Sequence, residues 1–209
     1  MNKKTTQLIH HSYTPPAGFA SPAVPVHKGS TVFFDNVAAM RSRTWLDRSA
    51  YTYGLHGTPT SFTLEERIAT LEGGTHTMLV SSGLAAVTMV DIALLKSGDQ
   101  VLLPNNVYAP NKNFTRTELA AWGIGHAVYD AMDVASMAAA ITPKTKLVWL
   151  EAAGSVTLEF PDLRSLIRVV RDRAPQAVIA LDNTWGAGIA FDAFALADGL
   201  GVDVTVHAL

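Results

Sequence analysis

The sequence predicts an α/β fold: a mostly parallel sheet with helices on both faces, preceded by an extended N-terminal arm. Three observations carry this. From Thr60 onward, short and continuously apolar runs alternate with helix-periodic stretches, and strands apolar on both faces belong to parallel sheets covered on both sides. The 209 residues are 48% hydrophobic, enough for one substantial core. Residues 1–59 differ: they hold Pro15, Pro16, Pro22, Pro25 and Pro59 and show no sustained period, which reads as an arm draped over a domain or a partner subunit. Residues 60–209 then form one large domain.

Taken in order, Ser61 is expected to cap a helix through Leu64, Ile68 and Leu71, stopped by Gly73-Gly74. Thr77–Val80 reads as a buried strand. Leu84–Leu95 is apolar all round apart from Asp91, so a buried helix is expected. Ser97-Gly98-Asp99 turns the chain into a strand at Val101–Leu103. Pro110–Trp122 is helical and ends at Gly123, His126–Tyr129 is a short strand, and Asp133 caps a helix to Ile141. Lys146–Leu150 is the next strand. Pro161 opens a helix with Leu163, Leu166, Ile167 and Val170 on one face, and Arg164, Arg168 and Arg171 mostly on the other. Ala177–Leu181 and Val202–Val206 are further strands. No internal repeat is visible. A doubly wound sheet rarely stops on a strand, and Leu209 follows the last one directly, so the chain is expected to be part of a longer one.

Composition narrows the function. The 16 Lys+Arg balance 18 Asp+Glu, a formal charge of −2, and no basic run favours nucleic acid or a membrane surface as partner. The longest uncharged stretch, Gly73 to Val90, is interrupted by glycines and serines and does not read as a membrane span. Zero cysteines exclude disulfides, thiolate metal sites and a cysteine nucleophile. Met1–Gln7 leads into His10-His11 and not into an apolar segment, so no secretory leader is expected and the cytoplasm is the expected compartment. His10-His11 reads as an exposed arm pair and His207 as a strand-end residue, so no metal is expected.

In open α/β sheets ligands bind beyond the carboxyl ends of the strands, which makes the residues after each strand the candidates. After Val80, Ser81-Ser82-Gly83-Leu84 turns into a helix. Such a turn presents free N–H groups at the positive end of the helix dipole and suits a phosphate. The plainer alternative is a serine N-cap with a close-packing glycine. It is not GxGxxG and no Walker lysine follows, so a nucleotide gains little support. After Leu103, Tyr108 stands in the Pro104–Pro110 loop, where it would stack on a planar ligand or pack as a half-buried loop residue. Glu151-Ala152-Ala153-Gly154-Ser155 follows Leu150. Asp182 directly follows an apolar strand; it needs a cationic partner, such as a protonated ring nitrogen, or serves an Asx-turn or cap. A ligand with a phosphate, a flat ring and a basic ring nitrogen fits these loops together, and pyridoxal 5′-phosphate has all three.

Tyr53-Gly54-Leu55-His56-Gly57-Thr58-Pro59-Thr60, Leu71-Glu72-Gly73-Gly74, Ser81-Ser82-Gly83-Leu84-Ala85-Ala86 and Asp182-Asn183-Thr184-Trp185 resemble the Cys/Met-metabolism family of fold-type I pyridoxal-phosphate enzymes. The resemblance runs in order from the arm to Leu209. Tyr53–Thr58, Gly154–Glu159 and the tryptophan and glycine of Asp182–Gly188 look most like the β-lyase branch; γ-type members carry an asparagine motif near the place of Ser155. The resemblance implies an aminotransferase-like large domain, L-cystathionine or a related thioether amino acid as substrate, and β-elimination of L-cystathionine to homocysteine, pyruvate and ammonia in methionine biosynthesis. It also implies a homotetramer whose dimers share active sites.

By the same resemblance, Gly83 and Leu84, beside Ser82, give backbone N–H groups to the cofactor phosphate. Tyr108 stacks on the ring. Asp182, with Thr184 next to it, keeps the ring nitrogen protonated. Tyr53 reaches from the arm into a neighbouring subunit's site. Tyr108 and Tyr53 are the candidate catalytic residues, and Trp185 is packing and pocket wall. Two departures stand out. The family's phosphate-binding arginine, two residues after the arm tyrosine, is here Leu55, beside His56, and a neutral imidazole is a weaker phosphate ligand than a guanidinium. The Schiff-base lysine is expected just past Leu209: Val206-His207-Ala208-Leu209 matches its lead-in, and none of Lys3, Lys4, Lys28, Lys96, Lys112, Lys144 and Lys146 stands at its place. The 209 residues alone are therefore expected to be inert. The alternatives are a γ-lyase or γ-synthase of the same family, a nicotinamide-dependent oxidoreductase, and a non-catalytic truncated relative.

Overall fold

The computed structural model describes residues 6, 17–18, 21, 23–44, 50–197 and 199–209. Pro15, Pro16, Pro22 and the His10-His11 pair lie outside them. The chain divides into two units, Met1–Leu79 and Val80–Leu209.

In the first unit a short helix, α1 (Val37–Arg41), starts at Asn36, whose side chain accepts from the Ala39 amide at 2.9 Å. The sequence reading had no element there. Helix α2 (Pro59–Glu72) begins three residues earlier than Ser61 suggests. Thr58 is the cap: it accepts from the Ser61 amide at 3.4 Å, and Ser61 Oγ accepts from the Thr58 amide at 2.8 Å. That reciprocal pair satisfies two helix-end donors, and proline at the first helical position costs no hydrogen bond. Gly73, at φ +80°, ends the helix as expected, since a left-handed cap suits glycine. The strand expected at Thr77–Val80 does not form. The Leu79 amide is taken by Glu65 Oε1 at 3.0 Å, and no described strand lies alongside.

The second unit holds the sheet. Its strands are β1 (Gln100–Pro104), β2 (Gly125–Tyr129), β3 (Thr145–Glu151), β4 (Val178–Asp182) and β5 (Val204–Val206). They lie in the order β2-β1-β3-β4-β5, every pair parallel. Parallel neighbours need a crossover, and the helices supply it: α4 (Ala109–Phe114), α5 (Val134–Ala140) and α6 (Leu163–Arg173). Side chains alternate between the faces. Leu102, Val148, Leu150, Ile179 and Leu181 pack with Met137 of α5 and Leu166, Ile167 and Val170 of α6. Val101, Leu103, Leu147, Trp149, Ala180 and Val206 pack on the opposite face with Val87 of α3 (Gly83–Leu94) and Leu119.

Two helical expectations change. Helix α3 buries Val87 and Asp91, while Met89 and Ile92 are 48% and 53% exposed, so its apolar surface is broader than the face it uses. The expected helix from Pro110 to Trp122 is α4 continued by a π-helical segment, Thr115–Leu119. Asp91 is buried because it has a job: the Trp149 indole N–H, sealed in the core, donates to its Oδ1 at 2.8 Å. A buried indole needs an acceptor. Burial pushes the Asp91 carboxyl up to about 7, against the opposing pull of that hydrogen bond.

Candidate functional site

The carboxyl ends of the parallel strands share one edge, and the sequence candidates of the second unit gather there. Glu151 and Asp182 end β3 and β4 and are direct register partners. Two residues back, the partners Trp149 and Ala180 face α3, so the alternation of the pleat puts both carboxylates on the α3 side. Asp182 Oδ1 accepts from the Thr184 amide at 3.1 Å and from Thr184 Oγ1 at 2.6 Å. The same Thr184 oxygen accepts from the Ala208 amide at 3.1 Å. One threonine thus ties the carboxylate to the segment after β5. The Asx-turn reading of Asp182 holds.

Helix α3 starts at this same edge. A Cβ on Gly83 would stand 2.7 Å from the Ala208 Cβ, so only glycine allows this approach. Ser82 caps the helix, its Oγ accepting from the Ala85 amide at 3.1 Å. The plain N-cap reading is therefore correct. It does not compete with a phosphate site, because the amides of Gly83 and Leu84 lie in the first turn, where a helix has no acceptor of its own for them.

Tyr108 is the residue before α4 and is 38% exposed at the sheet edge. Its amide donates to Glu151 Oε2 at 2.8 Å. Burial pushes the Glu151 carboxyl up to about 7, against the pull of the Tyr108 amide, and the charge of Asp182 adds to the rise. The sequence reading passed over Glu151. Its signal was an acidic residue closing an apolar strand, the same pattern that singled out Asp182. Next to it, Asn106 laces the Tyr108 loop to the segment after β3. Its Nδ2 donates to Glu159 Oε2 at 2.9 Å, and its carbonyl accepts from the Ser155 amide at 3.1 Å. Gly154 lies against the Asn106 amide group with no room for a Cβ. The Ala152–Ala153 peptide is cis. Trp185 is 65% exposed, so it is not part of the core packing.

Tyr53 belongs to the first unit. It sits in a turn that its own neighbours build: the His56 amide donates to its carbonyl at 2.9 Å, and the two rings meet edge-on at 5.9 Å. Thr52 Oγ1 lies 3.0 Å from His56 Nδ1. Gly54 approaches the Gly29 carbonyl too closely for a side chain, and Leu55 projects into solvent.

What the second unit assembles is an anion-ready helix start, an exposed aromatic ring and a braced carboxylate on one sheet edge, a donor set suited to a phosphorylated, aromatic, basic ligand. The chain belongs to the Cys/Met metabolism PLP-dependent enzyme family, whose model matches residues 5–209. It is 36% identical over 184 residues to a cystathionine beta-lyase of Salmonella typhimurium, covering 88% of this chain and 46% of that protein. It is 32% identical over 207 residues to a cystathionine beta-lyase of Escherichia coli, covering 99% of this chain and 51% of that one. The fold matches that of a Campylobacter jejuni protein described as an O-acetylhomoserine (thiol)-lyase, at a TM-score of 0.89 and 27% identity, over all of this chain and 50% of that one. That structure carries a pyridoxyl-lysine phosphate. The chain spans about half the length of the curated relatives it matches. No described helix is long and apolar enough to cross a membrane.

Proposed function

We propose that the protein containing this chain is a pyridoxal-phosphate-dependent carbon–sulfur lyase. It performs β-elimination on L-cystathionine, releasing homocysteine, pyruvate and ammonia, or on a related thioether amino acid with release of the corresponding thiol, in the cytoplasm and as a homotetramer. The observation that carries this reading is Asp182, braced by Thr184 on the edge where α3 begins and Tyr108 is exposed. The residues present fit the cofactor: the free first-turn amides of Gly83 and Leu84 suit its phosphate, and the braced Asp182 carboxyl suits its basic ring nitrogen. When bound, pyridoxal phosphate supplies an electron sink for a carbanion at the substrate Cα.

The chain's own residues do the rest. The Gly83 and Leu84 amides, with Ser82 capping behind them, hold the phosphate at the positive end of α3. Asp182 keeps a proton on the ring nitrogen, and the two hydrogen bonds from Thr184 hold its carboxyl in place. The Tyr108 ring stacks on the ligand's face and screens it from water. Tyr53 reaches the site of a neighbouring copy. The support for β- over γ-elimination is likeness to the β-lyases.

The test uses the full-length protein. Borohydride reduction, digestion and mass spectrometry are expected to give a pyridoxyl-lysine peptide directly after Leu209. Incubation with L-cystathionine is expected to yield pyruvate and homocysteine in equal amounts. 2-Oxobutyrate as the keto acid would move the protein to the γ-type members, and the absence of any reducible cofactor would end the reading.

A further inference from the structure

The pyridoxal-phosphate reading leaves a buried carboxylate without a role. Glu151 lies at the end of β3, only 4% exposed, beside Asp182. A buried carboxyl is costly unless its oxygens are bonded, so its partners show what it does. Besides the Ser155 backbone, what Glu151 binds is the backbone of the stacking candidate: the Tyr108 amide at 2.8 Å. That amide precedes α4, and Tyr108 provides no side-chain cap of its own to close the helix start. Tyr108 is 38% exposed and has no described aromatic neighbour to stack against, so its main-chain ties help to fix where the ring stands. Asn106 ties the loop two residues earlier, and the Asn111 amide reaches the Tyr108 carbonyl at 3.0 Å from within α4. Between these ties, Glu151 is the group that fixes the peptide entering Tyr108.

We infer that Glu151 is a positioning residue: its carboxylate anchors the Tyr108 main chain to the end of β3 and so holds the aromatic ring over the ligand face of the sheet edge. This rests on the cofactor reading above. The neighbouring groups agree with a task done by an acceptor oxygen and not by charge. Asp182 on β4, Lys112 on α4 and Tyr129 on β2 surround the carboxyl, and burial holds it near neutrality at about 7. A protonated carboxyl still offers its carbonyl oxygen to an amide.

The test compares Glu151→Met, which keeps volume and removes the acceptor, with Glu151→Gln, which keeps an acceptor and removes the charge. Both are made in the full-length protein. Two readouts are followed: hydrogen exchange at the Tyr108 amide in cofactor-free protein, and the affinity and visible absorption band on adding back pyridoxal phosphate. In Glu151→Met the Tyr108 amide is expected to exchange about tenfold faster and the cofactor to bind about tenfold more weakly, with a shifted band. Glu151→Gln is expected to restore both to near the parent values. A Tyr108 amide still protected in Glu151→Met overturns the inference. So does a loosened amide with unchanged cofactor affinity, or a Glu151→Gln protein as weak as Glu151→Met. If the Met variant does not fold, the Gln variant decides alone, since its loss of affinity is by itself contrary. A parent protein that takes up no pyridoxal phosphate overturns the lyase reading and this inference with it. The exchange readout tells that failure apart, because it needs no cofactor.

Discussion

Asp182 and Asp91 are both aspartates within the same unit, and their surroundings give them opposite characters. Asp182 receives two hydrogen bonds from Thr184 at the open edge of the sheet. Asp91 is sealed between α3 and β3, bonded through one oxygen to Trp149, and burial raises it to about 7. Replacing Asp182 by Asn keeps an acceptor for Thr184 but removes the charge that would hold a ring proton. The variant is expected to fold normally and to lose about a hundredfold or more in turnover of the full-length protein, read by pyruvate release. Gly83→Ala tests the other side of the site. Its new methyl group meets the Ala208 Cβ at 2.7 Å, so destabilisation of about 1–3 kcal/mol is expected in urea unfolding. Asp182 and Gly83 were both legible in the sequence because strand ends and helix starts are fixed by local pattern. Glu151 was not singled out, because its bond to Tyr108 joins residues 43 positions apart.

Among the elements, α6 shows how far local pattern reaches. Its apolar positions Leu166, Ile167 and Val170 are all fully buried on the sheet, as their helical spacing requires. Leu166→Ala is expected to cost about 2–5 kcal/mol, measured by denaturant unfolding. The observed cap is Asp162, accepting from the Ser165 amide at 3.1 Å, one residue after the expected opening at Pro161. The segment after β3 shows the opposite case. Val156 and Leu158 hold left-handed conformations at φ +67° and +56°, and Val156 is 95% exposed, so nothing packs its branched side chain in return. Val156→Gly relieves that strain. It is expected to raise stability by about 1 kcal/mol, which the melting temperature reads. Nothing in Gly154–Glu159 as a string announces such a backbone. The loss of the Thr77–Val80 strand has a comparable origin: the segment has strand composition, but a strand needs a neighbour, and Glu65 takes its Leu79 donor.

For the molecule as a whole, the two raised carboxyls set a direction for its pH response. Asp91 and Glu151 keep their protons in the folded chain to about 7, against ordinary values of 3.8 and 4.5. Between those limits the folded state binds more protons than the unfolded one. These groups therefore contribute most stability at the acid end of the window, and the contribution falls as pH rises toward 7. Asp91→Asn removes one of the two titrations while keeping an acceptor for Trp149. Its melting temperature is expected to fall less than the parent's between about pH 4.5 and 7.5. An equal fall would mean that Asp91 titrates normally.

The sequence by itself determined the alternation of apolar runs and amphipathic helices, and with it a parallel sheet and the edge where ligands gather. Those properties rest on periodicity and on turn chemistry, which act between near neighbours in the chain. It also displayed, in Ser82-Gly83-Leu84, Tyr108 and Asp182-Asn183-Thr184, residues whose types match the ligand's chemistry. Only the tertiary structure decided the strand order β2-β1-β3-β4-β5, the pairing of Glu151 with Asp182, the Thr184 link to Ala208 and the burial of Asp91 against Trp149. Each of these is a contact between distant positions, selected by which surfaces exclude water together, and no local pattern in the chain encodes that choice.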